Sequence, residues 1–131
     1  MIIKGITPAY SAVTSAEEMR SALDVVAVGA DCEPVNLILS NGQIILRRNT
    51  DYSEAQTIIP ANVSKDTPKD GFFYEISSLM KLLNVIHGRV KLEIDAKGFM
   101  IIKTKNEVYL QLPMRGPAKK AEKANTAKQA A

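Results

Sequence analysis

An internal repeat constrains this chain more than any other feature of its sequence. Met19, Ala22, Leu23 and Val26 fall at the spacing of one helix face, and Leu79, Leu82, Leu83 and Ile86 repeat that spacing 60 residues later. A capping box, Ser15-Ala16-Glu17-Glu18, precedes the first stripe. Ser15 caps and Glu18 stands three residues on. The first helix is therefore expected over Ala16–Val28, with Gly29 as its stop. The second is expected to begin at Ser77 or Ser78 and to end at Gly88.

The strands repeat as well. After the first helix, Val35–Leu39 runs into Asn41-Gly42, a two-residue hairpin signal. Gln43–Arg48 returns, and a third strand, Tyr52–Ile59, stops at Pro60. After the second helix, Val90–Ile94 alternates apolar in and charged out, Asp95–Gly98 turns and Phe99–Thr104 returns. Lys105-Asn106-Glu107 turns again, and Val108–Leu112 runs to Pro113. Each half thus ends in an apolar residue followed by proline. A strand also precedes each helix: Phe72–Ile76 before the second, and either Ile2–Ile6 or Ala9–Val13, separated by Pro8, before the first. Residues 61–71 are polar and read as a flexible connector. The repeated order predicts an α+β fold of two β-α-β-β-β units, with antiparallel sheets and both helices packed on one side. One domain is expected over residues 1–113, with half-units at about 1–60 and 72–113.

Charge divides the chain differently. Of its 17 basic and 14 acidic residues, residues 1–114 carry 12 and 13, while the tail that follows has five basic residues against Glu122 alone. That tail, residues 114–131, has no large apolar residue after Met114. It cannot bury enough surface to offset the entropy of ordering, so it is expected to be disordered. It reads either as a solvated terminus or as an electrostatic arm for a polyanion, with Lys119, Lys120 and Lys123 as candidate phosphate contacts. No run is long enough to cross a bilayer, the start has no signal-peptide pattern, and the lone Cys32 permits no intrachain disulfide. A cytoplasmic protein is expected.

The residue types that carry catalysis are sparse. His87 is the single histidine and follows a helical stripe, where it reads as an interaction with the last carbonyls of that helix. Neither it nor Cys32 has partners at metal-ligand or triad spacing. Glu17/Glu18 and Asp66/Asp70 read as a helix start and a loop, and the seven glycines are scattered singly, without a phosphate loop. The expectation is a binding protein, not an enzyme, with no cofactor and no metal.

The repeated unit resembles the domain of DNA sliding clamps, the bacterial beta clamp and proliferating cell nuclear antigen among them. The likeness covers roughly residues 2–113. Its carriers are Ala16–Val28 leading to Val35–Leu39, then Asn41-Gly42 and Gln43–Arg48, Thr57-Ile58-Ile59-Pro60-Ala61, Phe73–Leu79 and the meander Val90–Leu112. The resemblance implies rings of six such domains, helices facing duplex DNA, sequence-independent phosphate contact, and tethering of polymerases and other clients without chemistry. It places Arg20, Lys81, Asn84 and Arg89 among the residues that would meet DNA. It also makes the strands that close each half the subunit interface, with Tyr52, Thr57 and Ile59 on one edge and Val108, Tyr109 and Leu110 on the other.

Two departures stand beside it. The chain has one such domain where clamp subunits have two or three, so a ring needs six copies or different partner chains. The first helix offers Glu17, Glu18 and Asp24 beside Arg20, an acidic face where a duplex-facing one should be basic. Three readings follow. One is a self-assembling processivity protein from a virus or mobile element. The others are a clamp-fold regulator of a replication or transcription complex that does not encircle DNA, and an unrelated α+β adaptor.

Overall fold

A computed structural model of the chain describes residues 7–27, 34–49 and 54–114. The first half runs β1 (Tyr10–Ser15), α1 (Ala16–Val26), β2 (Pro34–Ser40), β3 (Gln43–Asn49) and β4 (Glu54–Pro60), followed by a short β5 (Asn62–Lys65). The second runs β6 (Phe72–Glu75), α2 (Ile76–Val85), β7 (Arg89–Ile94), β8 (Met100–Lys103) and β9 (Val108–Gln111). Local chemistry accounts for the joints. Ser15 Oγ accepts the Glu18 amide at 3.0 Å, which satisfies one of the orphan N–H groups of α1. Asn41 and Gly42 both hold positive φ, 50° and 76°, the geometry of a primed hairpin turn between β2 and β3. Asp95 Oδ1 accepts the amides of Lys97 and Phe99 and so closes the β7–β8 turn.

All strand pairs are antiparallel, in two sheets ordered β4-β3-β2-β6 and β5-β1-β7-β8-β9. Each half lends its leading strand to the other. β1 lies beside β7 in the second half's sheet, and β6 lies beside β2 in the first half's. The two closing prolines mark a second exchange. After Pro60 the chain leaves β3 and joins β1 as β5; after Pro113 it leaves β8 and reaches β6, where Met114 N donates to Phe73 O at 2.9 Å. A proline, with no N–H to give, suits a point where a strand abandons its neighbour.

The core is a single cluster drawn from both sheets and both helices. Met19, Leu23 and Val26 of α1 and Leu79, Leu83 and Ile86 at α2 are fully buried, so the two matched stripes are the core faces of the helices. Tyr74 is buried among them, and its hydroxyl donates to Gly98 O at 2.8 Å. Burial pushes that phenol well above its usual range, aided by the Asp95 charge.

Several expectations are corrected. Of the two alternatives for the first strand, Tyr10–Ser15 overlaps the second, while Ile2–Ile6 lies outside the described residues, as do Gly29, Cys32, Tyr52 and the tail from residue 115. The connector is anchored. Four of its residues form β5, Thr67 Oγ1 accepts the Leu39 amide at 3.1 Å, and Asn36 Nδ2 donates to Asp70 O at 2.8 Å. Gly71, at φ +59°, brings its backbone against the Leu37 carbonyl, so close that a Cβ would collide with it. Glu93, expected to point out into water, is only 8% exposed. It does sit on the outer face, but Lys103 at 3.0 Å and Lys91 at 3.3 Å close over it. Burial pushes its carboxyl up, and the two ammonium groups outweigh that and hold it below the usual range.

Candidate nucleic-acid and assembly surfaces

The helices meet at their ends. Arg20, half-buried on α1, donates from Nε and Nη2 to Leu83 O and from Nη2 to Ile86 O, at 3.1, 2.7 and 3.0 Å. These are the last carbonyls of α2, the groups a helix leaves unpaired. His87, the residue expected to serve them, is engaged elsewhere. Its Nδ1 lies 3.5 Å from Glu17 Oε2, and the Gly88 amide donates to the same carboxylate at 3.1 and 3.2 Å. The amides of Glu17 itself and of Gly88 hold that carboxyl below its ordinary range. Ala16 N donates back to Gly88 O at 2.8 Å, so the start of α1 and the end of α2 are clasped in both directions.

This clasp decides what the expected DNA-facing residues can offer. Lys81 and Asn84, three apart on α2, are both exposed and share a face. Arg89 is exposed at the start of β7, opposite Ser15. Arg20 has its guanidinium turned to α2, while Glu17, Glu18 and Asp24 are exposed on α1. The structure therefore gathers one lysine and one asparagine on α2, puts Arg89 on β7, and leaves α1 acidic. Lys119, Lys120 and Lys123 lie outside the described residues.

The sheet edges hold a clearer pattern. β4 and β9 end their sheets, each with one neighbour among the described strands. The other two sheet ends are β5, four residues long like β9, and β6, which receives Met114. On β4, Ile59 packs into the core and Thr57 shares its inward parity; on β9, Tyr109 lies opposite core residue Ile102 and packs against the core. The residues that face outward are Ile58, 45% exposed, and Leu110, 41% exposed. Register aligns Ile38, Ile45 and Ile58 across the first sheet, and Ile101 with Leu110 across the second. The first sheet thus carries a row of three isoleucines on its outer face that runs to its edge, while on the second only Ile101 and Leu110 are apolar, beside Glu93. The sequence pattern points to Thr57 and Ile59 and hides Ile58. The signal for it is the doubled Ile58-Ile59, which breaks the alternation of the strand.

A groove of about 670 Å³ lies where α2 faces the end of β9. Ser78, Lys81 and Leu82 form one wall; Leu110, Leu112 and Met114 line the other. Leu112 is 55% exposed and Met114 38%, so its apolar wall is open to solvent. The sequence does not betray this groove, because Leu112 and Met114 look like the end of a strand and the start of a tail. Among the described residues no group of three or more His, Cys, Asp or Glu side chains could hold a metal ion, and no helix is long and apolar enough to cross a membrane.

The overall fold recurs in solved structures. A DNA polymerase III subunit beta from Pseudomonas aeruginosa superimposes with a TM-score of 0.73 at 20% identity over 87% of this chain. A putative DNA polymerase III beta subunit from Eubacterium rectale gives 0.74 at 19% over 88%, and the Thermotoga maritima beta subunit 0.72 at 18% over 83%. This chain has the fold of a sliding-clamp domain. The match takes in 32%, 34% and 31% of those three chains, so this chain spans about a third of their length. No protein-family model and no curated protein sequence matches it. In this clamp fold, β4 and β9 each have one neighbour among the described strands, and α1 and α2 are the paired helices.

Proposed function

We propose that this chain is a single-domain clamp subunit that joins edge to edge, most simply as six copies, closes around duplex DNA and tethers replication proteins there. The observation that supports it is the pair of open edges. β4 and β9 close opposite sheets, and each carries an exposed outward apolar residue beside an apolar neighbour, Ile58 beside Ile45 and Leu110 beside Ile101. Pairing β4 of one copy with β9 of the next joins the two sheets and covers both residues at once. Exposed apolar edges of this kind favour association. The contact uses two different surfaces, so it must close into a ring or continue as a filament. The structures it resembles are DNA polymerase III beta subunits, which gives the DNA and polymerase part of the proposal.

One observation favours a second reading. With Arg20 engaged by α2, the exposed charges of α1 are Glu17, Glu18 and Asp24. A regulator with the clamp fold that binds a replication or transcription complex without encircling DNA needs no basic helix face. Light scattering at ~100 µM separates the two. A ring held by contacts of even ~10 µM affinity, about −7 kcal/mol, is mostly assembled there. The expected mass is six times the 14.3 kDa of the chain. A protein that stays at the mass of one copy sinks the ring and leaves the regulator.

A further inference from the structure

The groove between α2 and β9 marks a difference between the two halves. In the first half α1 packs along β4; in the second α2 barely meets the matching strand β9, and the groove lies in that gap. Leu110, Leu112 and Met114 stay exposed on its wall. Apolar side chains gathered in one recess favour an apolar occupant. The chain has a candidate at each end. The stretch after Met114 is basic and holds no large apolar residue, whereas residues 1–6 hold Met1, Ile2, Ile3 and Ile6. They also hold Lys4, and Glu75 is the carboxylate on the groove wall. The start of β1 fixes the reach. Ala9 N donates to Ile94 O at 2.8 Å, and Tyr10, Ile94, Met100 and Gln111 are partners in turn across β1, β7, β8 and β9. Those three strand spacings amount to about 14 Å, and they end at Gln111 on the groove wall. Packing bridges the way. The Tyr10 and Phe72 rings lie 5.9 Å apart, and Gly98 fits between Phe72 and Pro113, which lines the groove. Six extended residues span about 20 Å, enough to cross.

We propose that residues 1–6 fold back over this end of the second sheet and seat Ile2 and Ile3 in the groove, as a strap the chain supplies to itself. Neighbours in an extended segment point opposite ways, so the two isoleucines meet opposite walls, Leu82 of α2 on one side and Leu112 with Met114 on the other. Lys4 supplies the charge that complements Glu75. A short tether gives the segment an effective concentration of about millimolar, so even a weak contact is well occupied. The strap covers Leu112 beside Leu110 and the β9 edge, and it therefore competes with a second copy for that edge. The apparent affinity of the second copy falls with the fraction of chains whose groove is free. This competition rests on the proposed pairing of β4 with β9; the seating of the strap does not.

The test uses the full chain with ¹³C-labelled methyl groups. NOEs are expected from the Ile2 and Ile3 methyls to those of Leu82, Leu112 and Met114. They should persist when the labelled chain is diluted in an excess of unlabelled chain. Their loss on dilution assigns the segment to a neighbouring copy and overturns the strap, as does their absence at the outset. Ile2→Asp with Ile3→Asp should remove the NOEs and shift the Leu112 and Met114 methyls, while the core methyls of Leu23 and Leu83 stay in place. Leu112→Asn, which changes the groove and leaves the segment intact, should release it as well; NOEs from Ile2 and Ile3 to Leu82 and Met114 that survive Leu112→Asn overturn the seating. Light scattering keeps the two proposals apart. The Ile2/Ile3 variant should assemble at a concentration several-fold lower than the parent. An unchanged midpoint beside intact parental NOEs overturns the competition. If the NOEs are present and neither protein assembles, the ring fails and the strap survives.

Discussion

Arg20 reaches across from α1 to α2 and donates to the Leu83 carbonyl from two of its nitrogens, at 3.1 Å from Nε and 2.7 Å from Nη2. One side chain of the first half thereby caps the helix of the second. Arg20→Met keeps the aliphatic stem and removes the donors. Hydrogen bonds to a charged group are worth about 1.5–3 kcal/mol, so the variant should lose roughly that in urea unfolding. Its DNA salt dependence should stay that of the parent, because the guanidinium is already engaged. A flattened salt slope with unchanged stability would show Arg20 to be a phosphate contact after all.

Leu83 tests the same junction from the apolar side. It is fully buried within the core cluster. Leu83→Ala should cost about 2–5 kcal/mol in denaturant unfolding, as large-to-small core changes do. A change below about 0.5 kcal/mol would mean that the second stripe does not face the core.

The two stripes and the Asn41-Gly42 turn were legible because each is a local pattern: helical spacing, a cap, a residue pair suited to positive φ. Alternation also revealed β7 and β9, but Ile59, expected at the subunit interface, is buried in the core. The exchange of β1 and β6 between sheets was not legible, since hairpin signals do not say which half a leading strand joins. Nor was the fate of Arg20, Glu17 or Glu93. A charged residue at a solvent-facing spacing reads as solvated, and only the fold brings Leu83 O to Arg20 or Lys103 to Glu93. The connector misled for a similar reason. Polar residues at 61–71 look loose, but their backbone and short side chains are tied to β1 and β2.

The Glu17 clasp gives a pH dependence with a definite sign. Amide donors lower its carboxyl in the folded protein below the ordinary value of 4.5. The stabilisation is therefore present above that ordinary value and is lost as pH falls through the lowered folded-state value. Glu17→Gln should show a shallower decline in melting temperature on acidification below about pH 4.5 than the parent, and a smaller difference from it at the acid end than at pH 7. Parallel curves for the two proteins at all pH values would refute the clasp.

The tail can be tested by removal. Five basic residues, Arg115, Lys119, Lys120, Lys123 and Lys128, follow Met114. If they touch phosphates, truncation after Met114 should weaken duplex binding. The slope of log affinity against log salt should then become shallower by up to about 0.9 for each phosphate the tail had neutralised. Undiminished binding by the truncated chain would assign the tail no part in it.

Assembly through the sheet edges makes the sharpest demand. Ile58 and Leu110 are the outward apolar residues of the two open edges, and each is aligned with an apolar neighbour on the next strand, Ile45 and Ile101. If β4 of one copy pairs with β9 of the next, the two side chains are buried against that joined outer face. Ile58→Lys should then dissociate the assembly, because a desolvated ammonium without a partner is costly. Leu110→Glu should do the same. The doubly substituted chain puts lysine on one edge and glutamate on the other, and head-to-tail pairing brings the opposite charges together at every junction. Cross-strand charge pairs contribute on the order of 0.2–1 kcal/mol, repeated at each junction. The double variant should therefore recover part of the assembled mass in light scattering at low salt and lose it again at high salt. Leu110→Pro, which removes an N–H from the open side of β9, should not be rescued by the Ile58 change. If both single variants keep the parental mass, the edges carry no assembly. If both dissociate and the double variant stays dissociated at low salt, the contact does not bring β4 to β9.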